Sequence, residues 1–240
     1  MSQLLQNELS MTNKKINVLI TGCSDGGIGA ALAKAFHSRG YRVFATARNI
    51  AKMSSLAALG IEVMPLDILD SVSIASCVEL VAERTNDSLH ILINNAGFGL
   101  TAPVAETPIS AAQDLFNTNF FGQLRVIQAF LPLLVRSASS SKPSPMIVNN
   151  TSIVGSIPVP WQGVYNASKA ALSSLTDTSR LELEPFGIRV VDLKTGVVAS
   201  KFFDAVQGML SIPLLRSCAD KNSIRLAAVR PLCTSGGHSS

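Results

Sequence analysis

Tyr165 and Lys169 stand four residues apart in the segment Tyr165-Asn166-Ala167-Ser168-Lys169. On a helix that spacing puts both side chains on one face. A free tyrosine titrates near pH ~10 and is a poor base at neutral pH. An ammonium beside it favours the phenolate, so the pair can act as a tuned general acid/base. Ser152 lies 13 residues upstream of Tyr165, where its hydroxyl could donate to a substrate oxygen as an oxyanion-hole donor does. Asn119, in Asn117-Thr118-Asn119-Phe120-Phe121-Gly122, is a polar amide in an apolar stretch. It needs a partner, and it could hold a water that links Lys169 to solvent. The residue types alone leave plainer roles open: a chance Tyr–Lys spacing, a turn serine and a helix-capping asparagine.

A second constellation is built from glycine. Thr21-Gly22-Cys23-Ser24-Asp25-Gly26-Gly27-Ile28-Gly29 follows a short apolar run and precedes a helical pattern. In that setting glycines permit a tight turn and close approach of a pyrophosphate to backbone N–H groups, and the helix N-terminus adds favourable partial charge. Turn geometry alone would also explain them. A site for NAD, whose adenosine ribose lacks a 2′-phosphate, places an acid about 20 residues further on, against the ribose 2′-hydroxyl. Here the second apolar run ends Ala45-Thr46-Ala47-Arg48. The acid is missing, and a guanidinium can pair with a 2′-phosphate, so the residues favour NADP(H) over NAD. Lys52 could support the same phosphate, although a solvated lysine is the plainer reading, as an exposed loop cation is for Arg48. Asp67 closes the third apolar run and suits either an adenine amino group or the cap of the next helix. Asn94-Asn95-Ala96-Gly97 follows the fourth run; it could lie against the adenosine ribose, and alone it reads as a turn.

The elements that must position these residues alternate along the chain. Apolar runs at Ile16–Thr21, Tyr41–Ala45, Ile61–Leu66, Leu89–Ile93, Met146–Asn150 and Ile188–Leu193 read as strands. Helical patterns cover Ile28–Ser38, Ile50–Leu59, Val72–Arg84, Ser110–Thr118, Phe120–Val135 and Val164–Glu184. Short apolar strands separated by helices imply a parallel sheet covered on both faces. With right-handed crossovers this is a doubly wound, three-layer α/β/α sheet in a single domain. Residues 1–15 read as a flexible polar arm, residues 16–200 as the catalytic domain and residues 201–240 as an atypical, weakly periodic segment.

Composition removes several function classes. A chain of 240 residues suits one large α/β domain that buries roughly three quarters of its unfolded surface. Apolar residues make up 47% and charged ones 15%, which argues against disorder. The net charge is +4, but Lys and Arg are scattered singly, unlike the clustered charge of a nucleic-acid binder. Cys23, Cys77, Cys218 and Cys233 form no CxxC, and His37, His90 and His238 are isolated. No metal site is expected, and the thiols read as reduced residues of a cytoplasmic protein, with peripheral association with lipid membranes left open. The greasiest segment, Val126–Val135, carries Gln128 and Pro132 and is too short to span a bilayer.

The ordered set Thr21-Gly22…Gly27-Ile28-Gly29, Asn94-Asn95-Ala96-Gly97, Asn119, Ser152 and Tyr165-x-x-x-Lys169 resembles the short-chain dehydrogenase/reductase superfamily over residues 16–200. The resemblance implies a Rossmann-type domain with a seven-stranded parallel sheet. It implies Tyr165 as proton donor or acceptor and Lys169 as the group that lowers its pKa and holds the nicotinamide ribose. Ser152 would orient the carbonyl and Asn119 would complete a proton relay. Cofactor contacts would come from Ile20, Gly22, Ser24, Gly27, Ile28, Gly29, Thr46, Arg48, Lys52, Asp67, Asn94, Ala96, Gly97, Tyr165, Lys169 and Val198, with Arg125 nearby. The turn and the Ala45–Arg48 strand end further resemble the NADPH-dependent 1-acyldihydroxyacetone-phosphate reductase-like branch and its biosynthetic relatives. The partner would be a small carbonyl or alcohol of lipid or secondary-metabolite type, and the resemblance implies a homo-oligomer built through residues 118–136 and 164–184. Two departures stand out: Thr195-Gly196 replaces the family's Pro-Gly, and residues 201–240 lack its closing pattern. The alternatives are therefore a catalytically weak or inactive NADP-binding relative without a complete substrate lid, or a scaffold unrelated to nucleotides.

Overall fold

Strands built mainly of apolar residues must bury both faces, and that requirement organises the computed structural model. The structure describes residues 15–140 and 144–198. Within them six strands form one parallel sheet: β1 (Asn17–Ile20), β2 (Arg42–Ala47), β3 (Glu62–Pro65), β4 (Ile91–Asn94), β5 (Met146–Asn150) and β6 (Arg189–Leu193). Their spatial order is β3-β2-β1-β4-β5-β6, and every pairing is parallel. This is the doubly wound Rossmann order, reversing direction beside β1. The seventh strand implied by the resemblance, residues 1–14 of the expected arm and the segment 201–240 lie outside the described residues.

Alternation along each strand divides the core in two. Leu19, Phe44 and Leu92 point to one face, where they meet Ile74, Cys77 and Val81 of α3 (Ser71–Thr85) and Val126, Phe130 and Leu134 of α5 (Gln123–Ser140). Val18, Ile20, Val43, Ala45 and Ile93 point to the other, against Ala30 and Ala33 of α1 (Ile28–Ser38) and Leu56 of the single-turn α2 (Ser54–Ala57). Small alanines on α1 let that helix approach the sheet closely, which brings its N-terminus up to the end of β1. The long helix α6 (Gly163–Leu183) packs along β6 and buries Ser168, Lys169, Leu172 and Thr176.

Two regions differ from the sequence expectation. The helix expected over Ile50–Leu59 is a 3-10 turn, Ile50–Met53, followed by α2. Asn49 starts the turn by accepting a hydrogen bond from Ala51 N at 2.9 Å, and Met53 and Leu56 bury beneath it. The helices expected at 110–118 and 120–135 are one continuous run. There α4 (Ile109–Phe116) passes into α5 through a wide π-helical turn, Asn117–Gly122. Such turns re-aim side chains within a helix and recur at functional sites. Here Gly122 packs so closely on Ile68 that a Cβ would lie 2.8 Å from its Cδ1, and Asn119 is turned fully inward.

Phe130 is completely buried at the centre of the α3–α5 face. Phe130→Ala should destabilise the fold by about 3–5 kcal/mol, read as a lower urea midpoint with an unchanged denaturant slope.

Candidate active site

Parallel topology brings the C-terminal ends of β1, β2, β4 and β5 to one edge of the sheet, where the strand order reverses and a crevice opens. A cleft of about 950 Å³ lies there, and its lining includes the glycine turn, Arg48, Asp67, Asn95–Thr101, Asn150–Val154, Tyr165, Lys169 and Thr195–Val198. Gly22 has a φ of +72°, and a Cβ on it would lie 2.7 Å from Ala96 Cα. A Cβ on Gly29 would lie 2.5 Å from Gly22 O and 2.6 Å from Asn95 Nδ2. The turn is therefore pressed against the loop after β4 at a distance only glycine permits. Gly27 and Ile28 open α1 on the cleft wall, and Gly27 caps the helix without a side chain. First-turn N–H groups at such an end suit an anion.

Asparagines brace the loops around this cleft. Asn95 Nδ2 donates to Thr21 O at 2.9 Å and Gly22 O at 3.0 Å, and its Oδ1 accepts from Asn150 Nδ2 at 2.9 Å. Thr21 Oγ1 in turn accepts from the backbone N–H groups of Asn95 and Ala96. Asn150 Oδ1 accepts from Thr195 Oγ1. One layer below, Asn94 Nδ2 donates to Asn149 Oδ1 and Asn149 Nδ2 to Thr176 Oγ1, each at 2.9 Å. Thr195 thus supplies a hydroxyl to the brace, and its carbonyl accepts from Ser152 Oγ at 3.3 Å and Ile153 N at 3.1 Å.

Tyr165, Lys169 and Ser152 converge on the same wall. Ser152 is hydrogen-bonded to Tyr165. Lys169 is buried, donates to Asn150 O at 2.8 Å, and its Nζ stands 5.9 Å from the Tyr165 ring centroid. Burial raises the Tyr165 pKa above its ordinary value, and the Ser152 hydrogen bond only partly opposes this. The net direction is set by burial, so the phenol holds its proton at neutral pH. Burial also pulls Lys169 down to about 8, against the attraction of Asp192. Asp192 accepts hydrogen bonds from Thr151 and from Ser173, one helical turn beyond Lys169.

The cleft gathers Gly22, Ser24, Gly27, Ile28, Arg48, Lys52, Asp67, Ala96, Gly97, Ser152, Tyr165, Lys169 and Val198. The other expected residues stand behind or away from it. Ile20 and Thr46 are buried in the sheet, where Thr46 Oγ1 donates to Ile20 O at 3.0 Å. Gly29 packs the turn, Asn94 is wholly buried, and Arg125 is exposed on α5 away from the lining. Asn119 lies behind the wall: its Oδ1 accepts from Phe98 N at 3.0 Å, while Nδ2 donates to Phe98 O at 2.9 Å and to Ser168 Oγ at 3.3 Å. It shapes the loop after β4. The N-cap of α3 is Asp70, not Asp67. Sequence reasoning missed the bracing roles of Asn95, Asn150 and Thr195. The signal was the Asn-Asn pair ending β4 and its counterpart ending β5, which the register sets side by side. Cys23 and Cys77 are free, and burial pushes each thiol up to about 12; Cys218 and Cys233 lie outside the described residues. Among the described residues no helix is long and apolar enough to cross a membrane.

The family model for short chain dehydrogenases matches residues 16–210. A short-chain dehydrogenase/reductase of Pestalotiopsis microspora is 48% identical over 206 residues, covering 86% of this chain and 67% of the relative. An NADPH-dependent 1-acyldihydroxyacetone phosphate reductase of Schizosaccharomyces pombe is 42% identical, covering 77% of this chain and 60% of the relative. Among solved structures, an alcohol dehydrogenase from Thermococcus sibiricus complexed with 5-hydroxy-NADP is similar with a TM-score of 0.72, at 27% identity and covering 80% of each chain. The chain spans about two thirds of the length of these curated relatives.

The Lys169 environment has a thermodynamic signature. Its folded pKa of about 8 lies below the ordinary 10.5, so between those values the unfolded chain binds more protons and stability rises with pH. Relative to Lys169→Met, the wild type should gain stability as pH is raised from about 8 towards 10, measured by urea unfolding at each pH. A constant difference between the two would show that burial does not depress this lysine.

Proposed function

The chain belongs to the short-chain dehydrogenase family, and from that premise we propose that it is an NADPH-dependent reductase of a carbonyl on a lipid or secondary-metabolite substrate. The observation that carries this reading is the convergence of Tyr165, Ser152 and Lys169 on the cleft that also holds the glycine turn and Arg48. The residues fit a phosphorylated dinucleotide. The start of α1 offers backbone donors to a pyrophosphate, and Arg48 and Lys52 both reach the cleft. Among the described residues neither cation is engaged in an ion pair, so both remain available to a 2′-phosphate. Bound NADPH supplies the hydride. The NADPH-dependent relative and the NADP-analogue complex support this choice of cofactor.

The protein's own part is to place and protonate the carbonyl. On substrate binding the Ser152 hydroxyl turns from Thr195 O, to which it donates at 3.3 Å, to the carbonyl oxygen and holds it near the Tyr165 phenol. The phenol, kept protonated by burial, gives its proton to that oxygen as negative charge develops there. Lys169, charged at neutral pH and anchored on Asn150 O, stabilises the phenolate that remains. Asn119 holds Phe98 and so sets the wall opposite. Leu100, Ile153, Val154, Val159 and Val197 add apolar surface to the cleft, which suits a substrate whose carbonyl sits on a hydrocarbon body.

Titration with NADPH and with NADH, followed by nicotinamide fluorescence, tests the cofactor reading; binding of neither overturns it. Against a carbonyl substrate turned over by the wild type, Tyr165→Phe should lower kcat by about 10²–10⁴-fold. NADPH affinity should stay within about threefold, because the lost hydroxyl acts in the chemical step. Equal turnover in that variant would remove Tyr165 from the mechanism.

A further inference from the structure

The glycine turn carries an acid, Asp25, on the wall of the cleft shared by Arg48 and Lys52. A carboxylate there would ordinarily repel a phosphate or neutralise the cations meant for it. The structure ties this carboxylate to the segment just after Lys52. Asp25 Oδ1 accepts from Ser55 Oγ at 2.5 Å, and Oδ2 accepts from Ser55 N at 3.2 Å and Ser54 Oγ at 3.3 Å. Its backbone N–H donates to Lys52 O at 2.7 Å. Hydrogen bonding from Ser55 keeps the carboxyl below its usual range, with Lys34 adding a smaller attraction, so the group is an anion whose position is set by these partners. Beneath the same segment, Met53 and Leu56 are buried in the core. The turn carrying Lys52 is thus gripped from the glycine loop above and from the sheet below.

We propose that Asp25 and Ser55 form a clamp that sets selectivity for a 2′-phosphorylated dinucleotide. It draws the Asp25 charge away from the phosphate and ties the Lys52 turn to the glycine turn. The clamp rests on the NADPH reading above and adds to it a specificity-determining pair beyond Arg48. Ser55 is a positioning residue: it acts on the phosphate only through where Asp25 and Lys52 stand.

Full-length chain is titrated with NADPH and with NADH, and the ratio of the two dissociation constants is compared among variants. Ser55→Ala leaves the acid in place and removes its hydroxyl donor. Its preference for NADPH should fall about three- to tenfold, the net size of one ordinary hydrogen bond, with NADH affinity within about twofold of wild type. Ser55→Thr keeps a hydroxyl and should keep the ratio. Asp25→Asn introduced into Ser55→Ala leaves no misplaced charge and should recover most of the lost preference. A wild-type preference that persists unchanged in Ser55→Ala overturns the clamp alone. A wild-type ratio near one overturns the 2′-phosphate reading and the clamp with it. Equal losses for both nucleotides in Ser55→Ala would mark a general disturbance of the turn and also overturn it.

Discussion

The carboxamide of Asn95 is the interaction on which the site depends. A parallel sheet delivers its loops to one edge but does nothing to hold them there, because the ladder hydrogen bonds stop where the strands end. Asn95 spans that gap, donating to the glycine turn after β1 and accepting from Asn150 after β5. Asn150 passes the connection on to Thr195 after β6 and, through its carbonyl, to Lys169 on α6. One amide with two donors and an acceptor therefore sets the glycine turn, the wall that bears Ser152 and the helix that carries Tyr165 and Lys169 in a common frame. Buried networks of this kind specify geometry because each unmade bond would leave a desolvated polar group.

That frame also explains why charge can be kept inside. Lys169 has almost no contact with water, a costly position for an ammonium. The Asn150 carbonyl solvates it directly, and Asp192, itself satisfied by Thr151 and Ser173, supplies the opposite charge from β6. The same burial that weakens the lysine's hold on its proton strengthens that of Tyr165. A protonated phenol beside a charged but easily titrated ammonium is the pairing on which the proposed proton transfer to a carbonyl oxygen rests.

Much of this architecture was legible in advance, for a definite reason. Strands buried on both faces are mainly apolar, so β1, β4 and β5 stand out as short apolar runs ended by asparagine or threonine, and α1 is bounded by glycines on either side. Local spacing also placed Tyr165 and Lys169 together, because four residues on a helix is a fixed geometry. Signals failed where a side chain's job depends on a distant partner. Nothing near Asn119 announces Phe98 or Ser168, and nothing near Thr46 says that its hydroxyl turns into the sheet. The π-helical turn was invisible for the same reason: its widening accommodates the inward Asn119 and the contact of Gly122 with Ile68.

By itself the sequence determined the family, the order of strands and helices, the glycine turn and the Tyr165–Lys169 spacing on which the proposed acid/base set rests, since each of these is written in local composition or short spacing. Tertiary structure alone decided which of those residues face the cleft, that the Asp25 carboxylate is tied to Ser54 and Ser55, that Thr195 joins the asparagine brace, and that burial pushes the tyrosine's pKa up. These are consequences of burial and of partners tens of residues away along the chain, and such contacts exist only once the sheet has brought its strand ends together.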